Sequence, residues 1–210
     1  MEPPVPCCAY SCRRLLLALV WLLALAAPAG AQASSVVELP IDYLATSAEL
    51  VFEGRVVGQR VEQGQHARDI YTLVTFEVLD VVAGRWAQPT IDLAFSGGRL
   101  GHLAMEVSDM RIPAVGEHGV YFVERLDRRQ VNPLLGWTQG HFLVSASPGQ
   151  RGIVRTAVGR PVFSIEARPS AVRRGLSTGT APGVLTSPQI ADEAPMDVET
   201  FKARLRELTR

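Results

Sequence analysis

Four histidines, His66, His102, His118 and His141, are the side chains of this 210-residue chain best suited to bind a metal or carry a proton. A helical zinc site needs two of them four apart, as in His-Glu-x-x-His, so that both imidazoles leave one face. No pair has that spacing. A set assembled by folding from His102, His118 and Glu117 is the metal reading to weigh. Surface or loop histidines, with no metal and no cofactor, are the expectation. Ser96-Gly97-Gly98-Arg99-Leu100-Gly101 is glycine-rich and follows a strand pattern. It lacks both the lysine-serine pair of a phosphate loop and the Gly-x-Ser-x-Gly of a nucleophile elbow. A turn is expected there.

Paired carboxylates for glycoside chemistry must face one cleft about 5–9 Å apart. Asp69, Glu77, Asp80 and Asp92 lie in strand-like stretches where alternation turns most of them toward solvent. The stretch Leu134-Leu135-Gly136-Trp137-Thr138-Gln139-Gly140-His141 joins two strands. Because Trp is enriched at binding hot spots, Trp137, Gln139 and His141 are the candidate contact residues. The alternative role for Trp137 is to cap the core.

The three cysteines, Cys7, Cys8 and Cys12, all precede an uncharged run from Leu15 to Ala27, itself preceded by Arg13-Arg14 and broken at Pro28 and Gly30. This is the layout of a secretory signal. The run is shorter than the roughly 20 residues a spanning helix needs. Cleavage is expected after Ala31 or Ala33, giving a periplasmic or secreted protein with no stable membrane insertion. The mature chain then has no thiol for a nucleophile, a metal or a disulfide. Charge is balanced, 21 Lys+Arg against 21 Asp+Glu. A nucleic-acid binder normally carries a basic excess, so that class is set aside.

The elements that must position these residues are mostly strands. Leu50 to Val61 and Asp69 to Val82 alternate apolar and polar residues and are predicted to pair as a hairpin, with Gly54 and Gly58 marking a bend. Thr90 to Phe95, Gly119 to Leu126, Gly140 to Ala146 and Gly152 to Val158 complete six strands, and residues 99–117 read as mostly loop. Residues 34–159 are thus predicted to form a small barrel or sandwich. Residues 160–195, with scattered Pro, Ser, Thr and Gly, read as a flexible linker. At 196–210 Val198, Phe201, Leu205 and Leu208 recur at helical spacing behind Asp197, a capping residue. That amphipathic helix must bury its stripe on the barrel or on a partner.

The runs Glu49-Leu50-Val51-Phe52-Glu53-Gly54-Arg55-Val56, Tyr71-Thr72-Leu73-Val74-Thr75-Phe76-Glu77-Val78 and Pro113-Ala114-Val115-Gly116-Glu117 before Val120-Tyr121-Phe122-Val123 resemble exported bacterial domains. Those domains are similar in layout to the OB-like barrel of the tissue inhibitors of metalloproteinases. The resemblance implies a mainly β, five- to six-stranded OB-like fold. It does not carry inhibition, because that family acts through an N-terminal cysteine that the mature chain lacks. The expected function is therefore a non-enzymatic exported binding module contacting a protein or cell-envelope component, a secreted protease among the candidates. The rivals are a secreted hydrolase using carboxylates or a histidine-bound metal, and a structural part of an envelope complex held through the C-terminal helix.

Overall fold

Leu50–Gln63 (β1) and Ile70–Ala83 (β2) carry Val, Phe, Ile, Tyr and Thr in alternation and pair as a long antiparallel hairpin. Three register irregularities, at Val51/Phe52, Glu53/Gly54 and Val56/Gly58, bend it, because a residue without a partner raises local twist. The computed structural model describes residues 36–66, 69–145, 152–167 and 176–209. The signal segment expected at 1–33 lies outside them.

Thr90–Ser96 (β3), His118–Val123 (β6), His141–Ser145 (β7) and Ile153–Thr156 (β8) join the hairpin in one antiparallel sheet ordered β3-β2-β1-β6-β7-β8. Side-chain alternation gives the sheet two apolar faces. Phe52, Phe76, Leu93, Phe95 and Tyr121 form one core under Trp86, Met110 and Ile112. Val51, Val120, Phe122, Phe142 and Val154 form the other, covered by the helix Ile41–Ser47 (α1) and the C-terminal helix Val198–Leu208 (α2). β3 and β8 do not pair among the described residues, so the sheet has two edges.

Gly54 and Gly119 face each other across β1 and β6. A Cβ on Gly54 would lie 2.7 Å from the Phe52 ring, and one on Gly119 would lie 2.9 Å from the Tyr121 ring. Those missing side chains let Phe52, Phe76 and Tyr121 meet with centroids 4.7–5.6 Å apart, within the range for favourable aromatic pairs.

Residues 99–117 are mostly loop, as expected, but for a short hairpin, Gly98–Leu100 (β4) with Leu103–Met105 (β5). One expectation is corrected. Residues 160–195, expected as a flexible linker, supply Val162, Ile165, Ala181 and Val184 to the core and pair Ser164–Ile165 (β9) with Val184–Leu185 (β10). Ile41 N–H donates to the Pro182 carbonyl at 2.9 Å, tying that segment to α1. Its apolar residues are too sparse to show a period, and they find their partners far away in sequence.

α2 forms where its spacing predicts it. Asp197 accepts a 2.8 Å bond from Thr200 N–H as N-cap. Val198, Phe201 and Leu205 are buried on the sheet, and the Phe201 ring lies 4.9 Å from that of Phe142. Each such side chain contributes about 1.5–3 kcal/mol on burial, so the stripe is occupied within the chain. Among the described residues, no helix is long and apolar enough to cross a membrane.

Candidate functional site

Position in the ladder decides which backbone groups of β3 are free. Gly97 N–H donates to Ile70 O at 2.7 Å, and Val78 N–H donates to Pro89 O at 2.8 Å. These bonds set the phase: Gly97, Phe95, Leu93, Ile91 and Pro89 turn their backbone groups toward β2. Antiparallel alternation then turns those of Ser96, Ala94, Asp92 and Thr90 outward. Both ends agree, since Ser96 N–H donates to Val131 O at 2.8 Å and Thr90 O accepts from Trp86 Nε1 at 3.2 Å. Between them, the outward N–H and C=O of Asp92 and Ala94 meet no hydrogen-bond partner among the described residues.

A groove of about 270 Å³ runs beside this gap, lined by Leu73 and residues 92–94 on the sheet side and by residues 125–130 and Pro133 on the other. The opposing loop is pinned at several points. Leu126 N–H donates to Glu49 Oε2 at 2.9 Å, and Glu124 N–H donates to Pro133 O at 2.9 Å. Arg129 donates to Glu62 at 2.6 Å while its guanidinium sits 5.2 Å from the centre of the Tyr71 ring. The groove is therefore held open by structure on both sides.

Its polar groups are not all committed. Asp92 is: Thr75 donates to Oδ1 at 2.6 Å and Arg60 to Oδ2 at 2.8 Å. The Thr75 bond, helped by the Arg60 contact and opposed by burial, holds its carboxyl below the usual range. Arg128 touches Glu124 only at 3.9 Å and is 62% exposed. Arg125 and Asp127 are exposed with no partner among the described residues. Gln130 Oε1 is buried and accepts no hydrogen bond among the described residues, an unfavourable state for a buried acceptor.

The residues expected to make contacts lie elsewhere. Gln139 is 1% exposed; its amide donates to Val37 O and Gly136 O and accepts from Leu39 N–H, pegging the strap before α1. His141 is 1% exposed, with Nε2 at 2.6 Å from Glu117 Oε1; Glu117 also receives Arg111 at 2.7 Å and Tyr121 at 3.2 Å. Burial pushes the imidazole below its ordinary pKa. Its buried Nδ1 has no hydrogen-bond partner among the described residues. Burial raises the Tyr121 pKa, with the Glu117 charge adding to it. Trp137 is half-buried with φ +58°. Gln139 and His141 thus hold the fold together and form no exposed surface with Trp137.

The expected surface histidines also divide. His66 and His102 are exposed, whereas His118 bonds Glu53 at 2.8 Å on the helix-covered face. Glu53 in turn takes Lys202 of α2 at 2.5 Å, and Lys202 reaches Asp80 at 2.8 Å. Burial opposes the Lys202 charge, but these carboxylates and Glu199 raise its pKa. The set His102, His118 and Glu117 is not assembled, and among the described residues no group of three potential ligands could hold a metal ion. Asp80, expected to be solvated, belongs to this ion network. Ser96-Gly97-Gly98 turns from β3 into β4, with Thr72 Oγ1 donating to Gly97 O at 2.7 Å.

Sequence reasoning missed the β3 edge because Asp92 and Ala94 act through backbone groups. The only sequence signal was that Thr90 to Phe95 follows a hairpin. No family model matches the chain, and no curated protein or solved structure matches it either.

Proposed function

We propose that the chain is an exported, non-enzymatic binding module that takes up an extended segment of a partner protein by strand addition at β3. The observation that carries this reading is the pair of outward residues, Asp92 and Ala94, unpartnered beside a groove whose far wall is anchored. A sheet edge with free donors and acceptors is a template for another strand, and strand addition is a recurrent mode of peptide capture. The four backbone bonds on offer supply about 2–6 kcal/mol at about 0.5–1.5 each. A micromolar Kd corresponds to about 8 kcal/mol, so groove side chains must contribute as well. The register irregularities in the β1–β2 hairpin and the six-stranded antiparallel order support an OB-like arrangement left open between β3 and β8, in keeping with the resemblance in the strand sequences. The leader pattern before Ser34 supports export to the periplasm or medium.

A random peptide display library panned on the mature protein tests the reading. Wild type is expected to enrich extended peptides, and Ala94→Pro, which removes an outward N–H, to lose them while melting at nearly the same temperature. Failure of wild type to enrich any peptide, or equal enrichment by the variant, overturns it.

A further inference from the structure

Resting on that strand-addition reading, we infer that the captured segment is acidic, with a carboxylate set against Arg125 and Arg128. Five charged side chains line the groove: Asp92, Arg125, Asp127, Arg128 and Arg129. Asp92 has both oxygens occupied, and Arg129 is held by Glu62 and the Tyr71 ring. What remains for a ligand is Arg125, which has no partner among the described residues, and Arg128, whose contact with Glu124 is long and exposed, against the single carboxylate of Asp127. The uncommitted charge is therefore positive. An arginine fork matches a carboxylate in two parallel hydrogen bonds, which a neutral amide cannot reproduce.

The other groups say that the carboxylate belongs to a polypeptide. Asp92 and Ala94 offer alternating N–H and C=O groups along the edge. A free phosphate carries oxygens that would be repelled by the two carbonyls. An extended backbone presents N–H groups to those two carbonyls and carbonyls to the two amides. A second copy pairing through its own β3 would bring Asp92 already engaged by Arg60 and Thr75, and would face arginines with arginines.

The test uses the mature chain and short fluorescent Val-Thr peptides carrying Glu, Gln or Lys at alternate positions. The Glu peptide is expected to bind about tenfold or more tighter than the Gln peptide, the size of a charged hydrogen bond. Its advantage should shrink as salt rises to about 0.5 M. In the double variant Arg125→Glu/Arg128→Glu, whose exposed positions leave folding intact by melting temperature, the preference should pass to the Lys peptide. Equal affinity for Glu and Gln peptides, with binding lost in Ala94→Pro, overturns the acidic assignment and leaves strand addition standing. Glu-peptide binding that survives Ala94→Pro, or that inorganic phosphate alone displaces, overturns both. A dimer of the mature chain that Ala94→Pro dissociates assigns the edge to a second copy and likewise overturns the inference.

Discussion

The two edges of the sheet are treated in opposite ways. At β8, Val154 N–H donates to Met196 O, Val154 O accepts from Val162 N–H, and Thr156 N–H donates to Arg160 O, at 2.8–3.0 Å. Isolated bridges Ile153↔Asp197 and Arg155↔Pro161 continue this cover. Among the described residues, the outward backbone of β3 is engaged only at its two ends, through Thr90 and Ser96. The chain thus brings Arg160, Pro161, Val162, Met196 and Asp197 back over one edge, beside the buried Val162 and Phe201, and leaves the middle of the other edge unpaired among the described residues. Covering an edge removes its capacity to pair with a foreign strand. The contrast separates an edge sealed by the chain itself from one whose middle is unpaired among the described residues.

The largest expected effect lies on the sealed side. Phe201→Ala removes a fully buried ring packed on Phe142 and should cost about 4 kcal/mol, lowering the melting temperature by about 10 °C. A drop within about 2 °C would break the comparison, since the returning segment would then not be what holds the fold.

Next comes Lys202→Met, which leaves Glu53 and Asp80 without their buried cation and should cost about 3 kcal/mol at neutral pH. The His118 bond, opposed by burial and aided by Lys202, holds the Glu53 carboxyl low; burial opposes the Asp80 charge, and Lys202 and Arg206 overcome it. A depressed folded pKa gives stability that is present above the unfolded carboxylate value and lost as pH falls through the folded one. Chemical denaturation of wild type and variant should therefore show their difference narrowing below about pH 4.5. A constant difference down to the acid limit would count against the network.

A smaller effect is expected from His141. Its folded pKa is depressed by burial, so on acidification the unfolded chain binds this proton first. The contribution is intact above the ordinary value of 6.5 and declines below it, by at most about 1.4 kcal/mol per pH unit. Melting curves at about pH 7.5 and about pH 5.5 should differ less for His141→Gln than for wild type. An unchanged difference would remove His141 from the acid response.

The smallest effect on stability is expected at the open edge. Ala94→Pro removes an N–H that bonds nothing in the sheet and should cost no more than about 1 kcal/mol. Leu93→Pro, one residue away, removes a bond to β2 and disturbs a core side chain, and should cost about 3 kcal/mol or more. Similar melting temperatures for the two variants would show that the ladder phase assigned to β3 is wrong.

Much of the scaffold was legible in the residues themselves. Alternation in Leu50 to Val61 and Asp69 to Val82 marked the hairpin, and Val198, Phe201 and Leu205 behind Asp197 marked a helix with one buried face, because 2.0 and 3.6 residue periods are local properties of the chain. Alternation also misled: it turned Asp80 toward water, whereas Lys202, far along the chain, bonds it. Nor did any local pattern reveal that Val162 and Val184 belong to the core, that His141 is sealed against Glu117, or that Asp92 and Ala94 stand unpaired. Periodicity within a segment determines which residues share a face. Which strand becomes an edge, and which distant segment covers it, depends on hydrogen bonds and packing between residues remote in sequence, and those were decided by the tertiary structure alone.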